Sequence, residues 1–231
     1  MGIRTRSLFV LILLAGALAA PAASRAGAGA PPDSGAIGVA LPARIVLPAP
    51  RKTGGMPLLD ALRLRHSDRD FDDRMLPAQL LSDLLWAACG INRAGAGKRT
   101  APSARNWQEI DIYVALPEGV YLYDAAAHAL EPVMGGDLRG VTGTQPYVAV
   151  APLNFVYVAE TSRMEGAKPE LFDAYAAADA AFIAQNVYLF CASEGLATVV
   201  RASIDRPALA QAFGLRSSQR IALAQTVGFP R

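Results

Sequence analysis

The sequence predicts an α+β domain. Its elements fall in runs, with helices first, then a β-meander, then a long helix, and they do not alternate strictly as in a doubly wound sheet. A hydrophobic fraction of 52% against 18% charged residues suits a packed interior. A chain of 231 residues supplies one sizeable core and little material for a second. The net charge of +2 gives no global pull toward nucleic acid or an anionic membrane, and none of the usual nucleic-acid-binding patterns is present.

Residues 1–28 read as a signal peptide and not as part of the fold. Arg4 and Arg6 form a basic start, an apolar run follows from Leu8 to Ala20, and small-residue cleavage candidates come next (Ala20-Pro21-Ala22, Ala26-Gly27-Ala28). The run is shorter than the roughly 18–20 residues of a membrane anchor. The expectation is an exported protein, periplasmic or extracellular, with no stable membrane span after cleavage. Residues 29–55 are rich in Pro, Gly and Ala and read as a linker or a wrapped arm. The domain proper is expected over 56–231.

The first helix is expected over 57–65, with Pro57 early, where a missing N–H costs nothing. The second covers 77–89, with Leu80, Leu81, Leu84, Leu85 and Ala88 at helical spacing and Gly90 as its stop. Residues 90–101 read as a polar, glycine-rich loop. Strands are expected over 109–116 and 119–123 around a Pro117-Glu118-Gly119 turn, with a third near 128–133. A short helix is expected over 137–143, and 153–159 makes a strong central strand. Residues 169–194, Ala-rich and free of internal Gly and Pro, predict a long helix ending at Gly195. Apolar residues surround much of its circumference, so burial on most sides is expected, with a possible role at a subunit interface. A strand over 196–201, a helix over 206–213 capped by Asp205, and a strand over 220–227 complete the chain.

Cys89 and Cys191 both lie in apolar helical patterns. Two buried thiols are the preferred reading, although an oxidising compartment would allow a disulfide. With no C-x-x-C and only His66 and His128, no metal site is expected.

Three stretches carry chemistry. Arg63, Arg65, His66, Ser67 and Arg69 crowd the end of the first helix. They form either a solvated helix end or a phosphate site, since arginine offers a planar fork of donors and Ser and His add directional bonds. Asn106 and Gln108, two apart after Pro102-Ser103, form either a local Asx-type turn or a pair of amides able to read a flat heterocycle. Residues 195–201 lead from a glycine helix exit straight into a strand. That is either a plain connection or a place where backbone N–H groups meet a ligand edge.

Taken in order, these pieces resemble the FMN-dependent nitroreductase superfamily, which includes flavin reductases and the azoline dehydrogenases of peptide-modifying systems. The matching motifs are Arg63 to Phe71, Pro102-Ser103 through Asn106 and Gln108, the long helix with Gln185 and Asn186 followed by Glu194-Gly195-Leu196, and the closing Val227-Gly228-Phe229-Pro230. The resemblance implies a nitroreductase-like fold: a central, mostly antiparallel sheet flanked by helices, with a long buried central helix. It also implies a homodimer with FMN in a cleft between subunits. Arg65, His66, Ser67 and Arg69 would hold the phosphate, ribityl chain or pyrimidine edge. Asn106 would approach the ring near its reactive nitrogen, and Gln108 would support that segment. Val199, Val200 and Arg201 would line the other side through backbone groups, and Arg231 would add one phosphate contact. The implied activity moves hydride or electrons through flavin N5 to a small-molecule acceptor, from NAD(P)H where that is accessible. No catalytic side chain is identifiable. The alternative is a non-catalytic protein of the same fold that binds a flavin or another phosphorylated ligand.

Overall fold

The computed structural model describes residues 40–231. The expected signal peptide and the start of the Pro/Gly/Ala-rich stretch lie outside the described residues. The centre is a seven-stranded sheet: β1 (Ile45–Val46), β4 (Ile110–Leu116), β5 (Gly119–Asp124), β6 (Ala129–Gly135), β7 (Leu153–Glu160), β8 (Ala197–Arg201) and β9 (Gln219–Gly228). Its spatial order is β1-β6-β5-β4-β7-β9-β8. Every neighbouring pair is antiparallel.

Side chains alternate across the strands and so build two cores. Ile112, Val114 and Leu116 of β4, with Phe155 and Tyr157 of β7, face the helices α2 (Ala78–Cys89) and α3 (Phe172–Glu194). Tyr113, Ala115, Val156 and Val158 face the other way, onto Leu209 and Phe213 in and just after α4 (Arg206–Ala212). Because both faces are covered, β7 is buried throughout, with an apolar run from Phe155 to Ala159 between Asn154 and Glu160. Each large side chain so buried contributes about 1.5–3 kcal/mol.

Several expectations hold to within a residue or two. Pro57 and Pro77 sit at the N-caps of α1 (Leu58–Leu64) and α2. Asp205 caps α4 by accepting from the Ala208 N–H at 3.1 Å. Gly195, at φ +69°, ends α3 in the left-handed conformation that a side chain would resist. Cys89 and Cys191 are both buried and free.

Residues 40–55 run along the fold. Ile45 and Val46 pair with Leu130 and Ala129, and Leu47 enters the core. Ser82 Oγ donates to the Pro48 carbonyl at 2.6 Å, and the Arg51 guanidinium meets Asp83 at 2.6 Å. His128 lies between Ser82 Oγ (2.7 Å) and the Tyr123 hydroxyl (3.0 Å), and its burial lowers its pKa.

Three expectations need correction. Residues 90–101 are not simply a loop: β2 (Ile91–Arg93) and β3 (Lys98–Arg99) form a small hairpin, with Gly97 left-handed at its turn. These strands are too short and too polar for any alternation to mark them. The expected helix over 137–143 is one 3-10 turn, Arg139–Thr142. Finally, α3 is not buried on most sides in the single chain. Leu171, just before the helix, with Ala174, Ala178, Ala181, Phe182 and Gln185, forms an open stripe, and Phe182 is 49% exposed. Among the described residues, no helix is long and apolar enough to cross a membrane.

Candidate functional site

The first cluster forms where α1 ends. Arg65 closes the helix with a 2.8 Å bond from its N–H to the Ala61 carbonyl, and the chain then turns extended. The Asp68 N–H donates to the Thr198 carbonyl at 3.0 Å, docking the turn on the outer edge of β8. Ser67 Oγ lies 2.7 Å from the Tyr188 hydroxyl, which also accepts from the Val200 N–H at 3.0 Å. The Arg65 guanidinium stands 5.1 Å from the centre of the Tyr188 ring, a cation–π contact. His66 is exposed, with Nδ1 2.8 Å from the Leu64 carbonyl and Nε2 3.8 Å from the Asp68 carboxylate. Arg69 is exposed as well. The C-terminal residues return to the same turn. Phe71 bridges to Pro230, and the Arg231 N–H donates to the Asp70 carbonyl at 3.3 Å. The fold thus gathers Arg65, His66, Ser67, Arg69, Val200 and Arg231 along the outer edge of β8.

The second cluster is the loop before β4. Arg105, Asn106 and Gln108 all adopt left-handed backbone (φ +50°, +61° and +50°). Each such residue costs about 1–3 kcal/mol, which the surroundings must offset. Ser103 Oγ accepts from the Gln108 N–H at 2.8 Å and donates to Glu109 Oε2 at 3.2 Å. The Gln108 amide donates to the Gly97 carbonyl at 3.1 Å and to Asn106 Oδ1 at 3.2 Å, while its oxygen accepts from Arg99 at 2.9 Å. The Ala104 N–H donates to Asp179 on α3 at 2.8 Å. Asn106 and Gln108 are therefore coupled to each other, and Gln108 braces the hairpin. Burial, with Asp179 alongside, pushes the Glu109 carboxyl up to about 7.

The two clusters lie on opposite flanks of the buried half of α3. One attaches at Asp179 and the other at Tyr188, nine residues apart, which is about 13 Å along the axis and half a turn around it. The open stripe of α3 lies between these flanks on the remaining side. Within one chain, the two clusters therefore attach to different sides of α3.

The rest of β8 faces the interior. Val199 packs with Phe71 and Ala151. The Arg201 guanidinium is buried and meets no carboxylate among the described residues; it donates to Thr142 Oγ1 (2.9 Å), Asn154 Oδ1 (3.1 Å) and the Thr226 hydroxyl. Burial lowers its pKa to about 10. Its charge thus serves a buried polar network behind the strand.

The model of the Nitroreductase family matches residues 62–229, most of the chain. The chain belongs to the nitroreductase family. MJ1384 of Methanocaldococcus jannaschii, provisionally named a nitroreductase, is 32% identical over 152 residues, covering 62% of this chain and 76% of that protein. A crystal structure of a provisionally named nitroreductase from Ralstonia eutropha JMP134 is 47% identical. It superposes with a TM-score of 0.78 over 81% of this chain and 90% of that one. The E. coli microcin synthetase McbBCD complex, solved with truncated pro-MccB17 bound, gives a TM-score of 0.62 at 18% identity, over 78% of this chain and 76% of that one. At that identity the likeness concerns the fold alone.

This nitroreductase-family chain is thus an oxidoreductase of the nitroreductase type. The residue that sequence reasoning missed is Tyr188, which ties Ser67 to Val200. One signal was available. Tyr188, Cys191 and Gly195 recur at i, i+3 and i+7, so the tyrosine lies on the helix face that leads into β8.

Proposed function

We propose that the protein is an exported, homodimeric FMN-dependent oxidoreductase that reduces a small molecule at the expense of a nicotinamide donor or an equivalent reductant. The observation that carries the cofactor reading is the turn after α1. Among the described residues, Arg65 and Arg69 have no carboxylate within ion-pair distance, and they flank a serine held in place by Tyr188. Two free guanidiniums beside an oriented hydroxyl match the donor set a phosphate needs. Arg65, Ser67, Arg69 and Arg231 would hold the phosphate end. The Asn106 amide would serve the ring edge, with Gln108, bonded to Asn106, Gly97 and Arg99, supporting that segment.

The separation of the clusters supports the homodimer. A second copy crossing the open stripe of α3 would bring its own Asn106 loop toward the Arg65 turn of the first, completing two equivalent sites. Bound FMN supplies hydride and electron transfer at N5. The chain's residues supply charge for the phosphate, amides for orientation and apolar cover against water. Export rests on the basic start and apolar run at the N-terminus.

The test is a visible absorption spectrum of the purified mature protein, with mass spectrometry of what heat releases. The expected result is FMN near one per chain, reduced by NADH or NADPH and reoxidised by an added acceptor. A colourless protein that takes up no added FMN overturns the cofactor reading. A bound flavin that no reductant turns over leaves a binding protein.

A further inference from the structure

The β2–β3 hairpin and the Asn106 loop border an open cavity of about 420 Å³, within the range of small-molecule sites. Its walls include Arg93, Lys98, Arg99 and Arg105 and no acidic residue. None of these four has a carboxylate within 4 Å among the described residues. Four arginines elsewhere are tightly paired. Arg44, Arg139, Arg163 and Arg216 each hold a carboxylate oxygen at 2.6–2.8 Å.

The two guanidiniums nearest the hairpin are held in place, but not by charge. Arg99 donates to Gln108 Oε1 (2.9 Å) and the Cys89 carbonyl (3.1 Å), which leaves Nη2 without a partner among the described residues. Arg93 donates to Asn92 Oδ1 (3.0 Å) and the Arg99 carbonyl (3.1 Å), leaving Nη1 so. The Lys98 ammonium has no hydrogen bond among the described residues. Fixing an arginine through neutral acceptors preserves its full charge and pre-orders its remaining donors. The Arg105 guanidinium is drawn to the Gly166 carbonyl (3.4 Å) and the Trp107 ring, which leaves Arg93, Lys98 and Arg99 as the like charges at the hairpin; their repulsion is a cost that a multiply charged anion would remove.

We infer that this cavity binds the phosphate portion of a small phosphorylated ligand, recognised by Arg93, Lys98 and Arg99 with Arg105 at the rim. The site is separate from the Arg65–Arg69 turn, which lies on the far flank of α3. Its role as the entry point for a phosphorylated substrate or electron donor beside Asn106 rests on the flavin reading above. The anion site itself does not.

The experiment titrates inorganic pyrophosphate into the full-length mature protein by calorimetry, with flavin content read separately from absorbance. Parent protein is compared with Arg93→Ala/Lys98→Ala, both at exposed positions, and with Lys98→Glu alone in case the double variant folds poorly. The expected result is pyrophosphate binding to the parent, at least tenfold weaker in either variant, with flavin content unchanged. Equal affinity in parent and variants, or no binding to the parent, overturns the site. Loss of flavin from the variants also overturns it, by assigning the cluster to the flavin. A colourless parent that still binds pyrophosphate through these residues overturns only the flavin reading.

Discussion

The Tyr188 hydroxyl stands 2.7 Å from Ser67 Oγ and joins the turn after α1 to the middle of α3. The same oxygen accepts from the Val200 N–H at the edge of β8. One phenol thus fixes the relative position of a helix, a strand and the cationic turn.

Tyr188→Phe should loosen all three. It leaves the Val200 N–H without its acceptor, at a cost of about 1–3 kcal/mol. Denaturant unfolding should show that loss, and flavin titration should show weaker FMN binding because Ser67 is no longer held. A variant matching the parent in both measurements would show the hydroxyl to be idle.

Arg65→Ala and Asn106→Ala should each lower flavin affinity in their homodimers. Unfolded together and refolded, the two variants should recover part of it. Random pairing makes half the dimers mixed, and each mixed dimer has one fully intact site, so about a quarter of the parent's tight sites should return. If mixing restores nothing, both residues serve the same chain's site.

Phe182→Glu places a charge on the open stripe of α3. Phe182 is 49% exposed in the single chain, so the fold should tolerate the change. A subunit interface should not, because burying an unpaired carboxylate is strongly unfavourable. Light scattering should show a shift from dimer to monomer, accompanied by loss of bound flavin. A persistent dimer would place the interface elsewhere, with the exposed Leu58 and Leu59 of α1 the next surface to test.

Glu109 should impose a pH dependence on stability. Burial raises its pKa from 4.5 to about 7. Between those values the folded chain keeps a proton that the unfolded chain has released. Its contribution is therefore complete below pH 4.5 and is lost as pH rises through 7. Glu109→Gln should flatten the denaturation midpoint over this window. An unchanged slope would mean that Glu109 does not set the pH dependence in this window.

Much of this architecture was legible in the chain. The leucine spacing of α2, the uninterrupted alanine-rich run of α3 and the Asp205 cap are local signals, and local sterics and hydrogen bonding decide them. The strand–turn–strand order around Pro117-Glu118-Gly119 was legible for the same reason. The β2–β3 hairpin was not, because its pairing is sustained by Arg99 and Gln108 reaching across a turn and not by an apolar pattern.

The sequence by itself determined the α+β class, the apolar face of α2, the order of the principal strands and helices, and the cationic turn from Arg65 to Arg69. Periodicity, capping and composition act over a few residues and leave their mark in the order of the letters. Tertiary structure alone decided that Tyr188 holds Ser67 and that Arg201 turns inward. It also decided that the Arg65 and Asn106 clusters stand on opposite flanks of α3. Those outcomes depend on which distant segments the sheet order β7-β9-β8 brings against the helix. No spacing along the chain encodes that contact.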